Sequence, residues 1–291
     1  MNSEIHSYPQ ISNLDPAYVL GKISEFRAED FPGGDLTTDL TGTNGNGSAD
    51  MVSKSKGIFC GTDVLPYCFP ETCRVDLSVS DGMELIPGTV IAVITGPTDS
   101  LLVNERLSLN LIQHLCGIAT HTRSIVSKKL PDGFKVLDTR KTTPGLRMFE
   151  KYAVAVGGGV NHRSDLSSGI LIKDNHIASA GGLKNAVRRA NDTKTNGAWI
   201  ELEVDTIQQL EEGLDIGITA FLLDNMDPDT VKKAVAIVRS REKGGSVFLE
   251  ASGGITAETI EAYALTGINA VSMSSLTFGS SPIDISMDFH S

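Results

Sequence analysis

Val136 to Ile177 reads VLDTRKTTPGLRMFEKYAVAVGGGVNHRSDLSSGILIKDNHI. A short apolar run from Lys135 to Leu137 is followed by a Thr-Thr-Pro-Gly turn, and then by a helical pattern over Gly145–Val156. A glycine-rich turn leads to a second apolar run, Gly169–Ile172. A strand, a helix and a strand at this spacing build one step of a parallel sheet covered by helices. The stretch is also charged in an unusual way. Between Asp138 and Lys173 it holds Arg140, Lys141, Arg147, Lys151, Arg163 and Lys173 against Asp138, Glu150 and Asp165, a local charge of +3. The chain as a whole carries −11, so the remainder carries −14. A cationic island in an acidic chain suits a compact, multiply charged anion held in a pocket. It does not suit nucleic acid, which needs an extended basic face. Arg147 and Lys151, four residues apart, fit a solvated helix face equally well.

The same alternation continues outward. Strands are expected at Trp199–Val204, Ala220–Leu223, Ser246–Leu249 and Ala270–Met273, with helices at Leu183–Asn191, Thr206–Gly213, Asp229–Arg239 and Ala257–Leu265. Six strands, with one more near Gly117, predict a full or incomplete α/β barrel over residues 117–279. No Gly-x-Gly-x-x-Gly follows a strand, which disfavours a dinucleotide-binding open sheet. Residues 1–116 have a different pattern, with short extended runs at 51–54, 57–60, 74–79 and 89–94 separated by turns, and then a helix from Asn104 to Gln113. This reads as a smaller α/β domain. The loop Thr41–Ser48 (TGTNGNGS) is expected to be flexible and without chemistry.

Composition excludes several classes. A length of 291 residues with 40% hydrophobic and 21% charged residues is that of an ordinary globular protein. MNSEIHSYPQISNLD has no basic n-region or apolar h-region, so a secretory signal is not expected, and no apolar run approaches the length of a membrane span. Cys60, Cys68, Cys73 and Cys116 lack metal spacing and read as reduced thiols of a cytoplasmic protein. The acidic balance disfavours nucleic acid and anionic membranes as partners.

In an α/β barrel the reactive groups sit where strands run out into loops. Here the strand ends read Asp138-Thr139-Arg140-Lys141, Lys173-Asp174-Asn175, Glu203, Asp224-Asn225, Glu250-Ala251-Ser252-Gly253-Gly254 and Ser272–Ser275. Asp205-Thr206 and Asp227 are expected merely to cap the next helix. Arg forks match carboxylates and phosphates, whereas Lys acts as a point charge. Glu203 and Asp224 suit ribose hydroxyls or a hydrated magnesium ion. Ser252-Gly253-Gly254, read as the opening of a helix, offers backbone N–H groups to a phosphate. Cations and carboxylates on one face fit a phosphoribosyl-type transfer, whose oxocarbenium-like centre needs carboxylates while cations hold the leaving group.

At these residues the sequence resembles the quinolinate phosphoribosyltransferase family. The matching runs include Gly34–Thr38, Asn104-Glu105-Arg106, Gly117–Thr120, DTRKTTPGLR from Asp138, GGGVNHR ending at Arg163, IKDNHI ending at Ile177, Glu201–Val204, Leu223–Met226 and LEASGGI ending at Ile255. They span about residues 20–285 in order. The resemblance implies an incomplete α/β barrel with an N-terminal α/β sandwich domain, the tail 280–291 joining the latter. It implies a homodimer with shared active sites, or a larger assembly built from it. The implied reaction is quinolinate plus phosphoribosyl pyrophosphate giving nicotinate mononucleotide, pyrophosphate and carbon dioxide, with Mg2+, in de novo NAD biosynthesis. It assigns the substrate carboxylates to Arg140, His162 and Arg163, with Arg106 reaching in from the partner. Lys141 and Lys173 are expected to contact substrate and phosphate, Glu203 and Asp224 the ribose or metal, and Ser252, Gly253 and Gly254 the 5′-phosphate. Thr139 and Ser274 complete the expected substrate-binding set, and Lys141, Lys173, Glu203 and Asp224 the catalytic one.

One departure stands out. Where the family has a Gly and a His near the last strand, this chain has Ser274 and Phe278. Competing readings are a paralogue acting on another aromatic acid, a Schiff-base aldolase using Lys173, and a non-catalytic anion-binding module.

Overall fold

The computed structural model describes residues 8–41, 45–193 and 199–290. The chain forms two compact units. One comprises Ile11–Ser124, Thr143–Gly158 and Gly279–Ser291, the other the residues up to Gln10, Ile125–Thr142 and Gly159–Phe278.

The first unit opens with α1 (Pro16–Asp30), which Asp15 caps by accepting from the N–H groups of Ala17 (2.7 Å) and Tyr18 (3.3 Å). Such a cap is worth about 1 kcal/mol. After α2 (Leu36–Thr41) come β1 (Asn46–Ser53), β2 (Gly57–Ile58), β3 (Arg74–Leu77), β4 (Glu84–Leu85) and β5 (Val90–Pro97), followed by the 29-residue α3 (Thr98–Val126). Two expectations change here. Asn46, Gly47 and Ser48, read as part of a flexible loop, begin β1 and pair with β5, while Gly42, Thr43 and Asn44 lie outside the described residues. The strand expected near Gly117 is instead part of α3, which also runs through the expected boundary between 116 and 117. Glycine stands at 117 because a Cβ there would lie 2.3 Å from the carbonyl oxygen of Ser281.

The parallel unit begins with β6 (Lys135–Leu137). The next helix, α4 (Arg147–Gly157), packs within the first unit. Phe149 of α4 meets Tyr18 and Phe26 of α1, with ring centroids 5.5 and 6.4 Å apart. Glu150 accepts from Thr143 N–H and lies 3.0 Å from His114 Nε2, and the Tyr152 hydroxyl donates to Asp81. Lys151 is fully buried, which excludes the solvated-face reading for that residue.

The strand–helix alternation then runs on through β7 (Ile170–Ile172), α5 (Asp174–Ala180), α6 (Leu183–Thr193), β8 (Ile200–Val204), α7 (Ile207–Asp215), β9 (Ala220–Asp224), α8 (Pro228–Ser240), β10 (Phe248–Ser252), α9 (Ile260–Ala264), β11 (Ala270–Ser272) and α10 (Ser275–Phe278). Thr206 and Asp227 cap α7 and α8 as their sequence context predicts. The six strands pair in parallel in the order β6-β11-β10-β9-β8-β7. No ladder joins β6 to β7 among the described residues, so the barrel is incomplete, and Val160 makes an isolated parallel bridge to Leu137 in the gap. Apolar residues on both faces of these strands are buried.

The chain ends in β12 (Ile285–His290), which pairs antiparallel with β1. The first unit thus has a four-stranded antiparallel sheet in the order β12-β1-β5-β3, flanked by helices. This is the α/β sandwich that accompanies the barrel. No described helix is long and apolar enough to cross a membrane.

Candidate active site

The C-terminal ends of the barrel strands converge on one pocket of about 530 Å³. Its wall is formed by Thr139, Arg140 and Lys141 after β6, His162 and Arg163 in the gap, Lys173 after β7, Glu203 on β8, Asp224 on β9, and Ser252, Gly253 and Gly254 after β10. Strand order sorts the charges. The cations come from the two edges, β6 and β7, and the gap between them, the carboxylates from β8 and β9, and the small residues from β10 and β11. Four cationic side chains against two carboxylates leave the pocket net positive.

Alternation along the strands explains the convergence. Glu201 and Glu203, Leu222 and Asp224, and Glu250 and Ser252 are each two residues apart and so share the inward face of their strands. The outer member of each pair reaches the pocket, as does Leu222, while Glu201 and Glu250 lie a layer deeper. Lys173 Nζ donates to Glu203 Oε2, which joins the cationic edge to the acidic strand.

The rim beyond β9 and β10 is tight. Asn225 adopts φ 54°, rare for a residue with a side chain, and donates its backbone N–H to Ser252 O (2.8 Å) and its amide to Asp224 Oδ2 (2.8 Å). A Cβ on Gly253, which has φ 93°, would lie 2.2 Å from Asn225 Oδ1, so only glycine fits there. The helix expected to open at Ser252-Gly253-Gly254 does not form. Both glycines take positive φ, the chain turns through Thr256–Thr259, and α9 starts at Ile260. Any anion bound at this rim would therefore meet loop N–H groups rather than a helix dipole.

His162 and Arg163 are held from behind. Asp138, fully buried, accepts from His162 N–H (2.8 Å) and from the Asn161 amide (2.8 Å). His162 Nδ1 accepts from Arg163 N–H at 2.8 Å, which leaves the proton of the neutral ring on Nε2. Nε2 lies 3.3 Å from Glu201 and 3.7 Å from Glu250, both fully buried within the barrel. Burial, and then the adjacent Glu201 carboxylate, push the Glu250 carboxyl up to about 8, while His162 pulls the other way. Glu250 is therefore held protonated at neutral pH. Among the described residues, His162, Glu201 and Glu250 are the one group of three or more such side chains close enough to share a metal ion, and all three are buried. Glu203 and Asp224 stand outside that group, on the pocket wall.

Two expected residues are elsewhere. Arg106 is exposed on α3 in the first unit and does not line the pocket. Ser274 lies beyond the end of β11 and outside the lining set, and Ser272, whose position on the strand faces inward, takes its place. Leu171 and Leu222 also line the wall without a signal in the sequence, and Asn225, a strand end with no role assigned to it, lines it too. Sequence reading named Glu250 among the strand ends and gave it no role. Two acids spaced two apart in the apolar run Ile200–Val204 were the available signal for Glu201.

Comparison with known proteins agrees with this geometry. The models for the N-terminal and C-terminal domains of quinolinate phosphoribosyl transferase match residues 35–116 and 118–288. A probable carboxylating nicotinate-nucleotide pyrophosphorylase of Bacillus subtilis is 43% identical over 269 residues, covering 91% of each chain. The human carboxylating nicotinate-nucleotide pyrophosphorylase is 32% identical over 277 residues, covering 94% of this chain and 92% of its own. The solved structure of the nicotinate-nucleotide pyrophosphorylase from Francisella tularensis superposes with a TM-score of 0.89 at 34% identity, over 97% of this chain and 99% of that one.

Proposed function

This chain belongs to the quinolinate phosphoribosyl transferase family, and we propose that it converts quinolinate and phosphoribosyl pyrophosphate to nicotinate mononucleotide, pyrophosphate and carbon dioxide. The observation that carries this reading is the sorting of charge around one pocket, with four cations from the sheet edges and the gap between them and two carboxylates from the strands β8 and β9. A dicarboxylate and a polyphosphate need the cations, and the cationic sugar centre formed between them needs the carboxylates.

The residues divide the work as follows. Arg140 and Arg163 take the two quinolinate carboxylates, with His162 holding the Arg163 backbone. The ring nitrogen is thereby aimed at the anomeric carbon of the ribose. As the bond from that carbon to pyrophosphate breaks, Glu203 and Asp224 face the developing positive charge and the ribose hydroxyls, while Lys141 and Lys173 face the leaving phosphates. Ser252, Gly253 and Gly254 receive the 5′-phosphate on loop N–H groups. The ring, now a pyridinium, accepts the electron pair released when the 2-carboxylate departs as carbon dioxide. The resulting ring carbanion takes a proton from solvent. No protein nucleophile is required.

Glu203 and Asp224 would hold a magnesium ion. Both offer hard carboxylate oxygens on a wetted wall, and magnesium takes one or two such ligands while keeping its waters. When bound, the ion would neutralise phosphate charge on the leaving group. The buried His162, Glu201 and Glu250 group would have to strip that hydration, so it fits magnesium poorly.

Our reading of the assembly is a homodimer in which Arg106 completes the partner's pocket. Its exposure on α3 and its absence from the pocket wall support this. A cytoplasmic location accords with the four free thiols, three of them buried. Burial holds the Cys68 and Cys116 thiols up at about 12, which keeps them protonated and unreactive.

The test is carbon dioxide release from quinolinate by the pure protein. Release that requires phosphoribosyl pyrophosphate and yields equal nicotinate mononucleotide is the expected result. No release, or release indifferent to phosphoribosyl pyrophosphate, would overturn the reading.

A further inference from the structure

Residues 160–163 fill one side of the gap between β6 and β7, and their outer side meets the N-terminal segment of the chain. Asn161 N–H donates to Gln10 Oε1 (2.8 Å), and Gln10 Nε2 donates to Asn161 O (3.2 Å). The glutamine amide thus imitates the backbone of a neighbouring strand. Two residues earlier, Tyr8 is buried, with 7% of its surface exposed. Its hydroxyl donates to Glu201 Oε2 at 3.2 Å, the oxygen that lies 3.3 Å from His162 Nε2. Its ring lies against the His162 ring, with centroids 4.5 Å apart and planes tilted by 31°, and against Trp199 at 4.9 Å. Gly169, just before β7, leaves room for it, since a Cβ there would come within 2.5 Å of the tyrosine ring. The N-terminal segment therefore spans the gap, touching residue 161 on one side and residue 169 on the other.

We propose that Tyr8 is a positioning residue for the dicarboxylate end of the pocket, acting through Glu201 and the His162 ring on Arg163. Arg163 N–H donates to His162 Nδ1, and its guanidinium Nη1 donates to Gly169 O at 3.1 Å, beside the Tyr8 ring. Tyr8 thus touches the His162 ring and Gly169, the two residues that fix the backbone and the guanidinium of Arg163. The seat is closed to water, so the Tyr8–Glu201 hydrogen bond operates at low local dielectric, where losing a donor to a carboxylate is costly. Gln10 fixes the backbone and Tyr8 the side chains, and neither touches the strand ends that face the phosphates.

This inference rests on quinolinate being the substrate, so wild-type binding of quinolinate is measured first. If calorimetric titration shows none, the functional reading itself falls. If it binds, Tyr8→Phe is compared with wild type. Loss of one hydrogen bond to a carboxylate should weaken quinolinate binding roughly 10-fold and raise KM for quinolinate similarly. KM for phosphoribosyl pyrophosphate and kcat should stay within about twofold. Tyr8→Ala, which also removes the ring, should weaken binding further, and Gln10→Ala provides a second route to the same backbone. The cycle of Tyr8→Phe with His162→Asn separates positioning from bulk stability. If Tyr8 acts through His162, its effect shrinks to near nothing in the His162→Asn background. An unchanged quinolinate affinity in Tyr8→Phe would overturn the proposal, as would equal losses for both substrates. So would the same factor in both backgrounds, and so would a lower melting temperature as the only change.

Discussion

Lys173 and Glu203, at the ends of adjacent parallel strands, form an ion pair on the pocket wall. Both side chains keep contact with solvent, at 41% and 18% exposure, so the pair is accessible to a ligand and contributes little to stability. Lys173→Ala should lower turnover roughly 100-fold while the melting temperature changes little. Arg163→Ala should be as damaging to turnover but also less stable, because its guanidinium donates to Gly169 O. Near-normal turnover in either variant would mean that the site is misplaced.

Arg140 tests the carboxylate clamp. Arg140→Ala should weaken quinolinate binding by about 2 kcal/mol or more. Arg140→Lys should fall between wild type and alanine, because an ammonium cannot offer the bidentate fork. A direct titration giving equal affinities for all three would remove Arg140 from the clamp.

Glu250 predicts a pH dependence of stability. Its folded value of about 8 exceeds the ordinary carboxylate value of 4.5, so in that window the folded chain binds the proton and the unfolded chain does not. The stability contributed by the protonated form is therefore complete below about pH 4.5 and is lost as pH rises through about 8. Glu250→Gln has no proton to lose. Its melting temperature relative to wild type should rise between pH 5 and pH 9, by an amount worth a few kcal/mol. A constant difference across that range would place the proton elsewhere.

Arg106 and Lys173 test the shared site. If each pocket combines Arg106 of one subunit with Lys173 of the other, Arg106→Ala and Lys173→Ala should be inactive separately and complement when subunits exchange. About half of randomly reassorted dimers are mixed and each has one intact site, so activity should recover to about a quarter of wild type. Background activity after demonstrated exchange would confine Arg106 to its own subunit or to no site.

Ser274 and Phe278 depart from the family pattern, yet Ser274 is outside the pocket wall and Phe278 is 61% exposed. Ser274→Gly with Phe278→His should accordingly leave KM for phosphoribosyl pyrophosphate within about twofold. A large loss would show that this loop touches the substrate after all.

Much of the barrel and its rim was legible because parallel strands buried on both faces write short apolar runs, and their polar ends mark the functional face. Eleven of the thirteen expected site residues meet in one pocket for that reason. What stayed hidden depended on tertiary packing. The pattern over Gly145–Val156 says helix, but it cannot say that Phe149 will seat against α1. Ser-Gly-Gly before an amphipathic stretch resembles a helix start, and only the close approach of Asn225 shows that Gly253 serves a tight rim. Tyr8 sits in a polar segment whose local sequence gives no sign of burial. Glu201 was masked by its apolar neighbours, and Glu250, read as a strand end, lies inside β10 because that strand runs on to Ser252.

The pairing of β12 with β1 has a consequence for synthesis. Residues 285–290 leave the ribosome only after every barrel residue has been made, yet they supply the strand that covers one side of β1. Until then the nascent sheet carries an open edge with unpaired N–H and C=O groups, the kind of surface that recruits other chains. The barrel can begin to collapse while the sheet is still waiting for its last member. A premature stop anywhere between the end of β11 and Ile285 would spare every pocket residue on the barrel and still release a chain prone to aggregate.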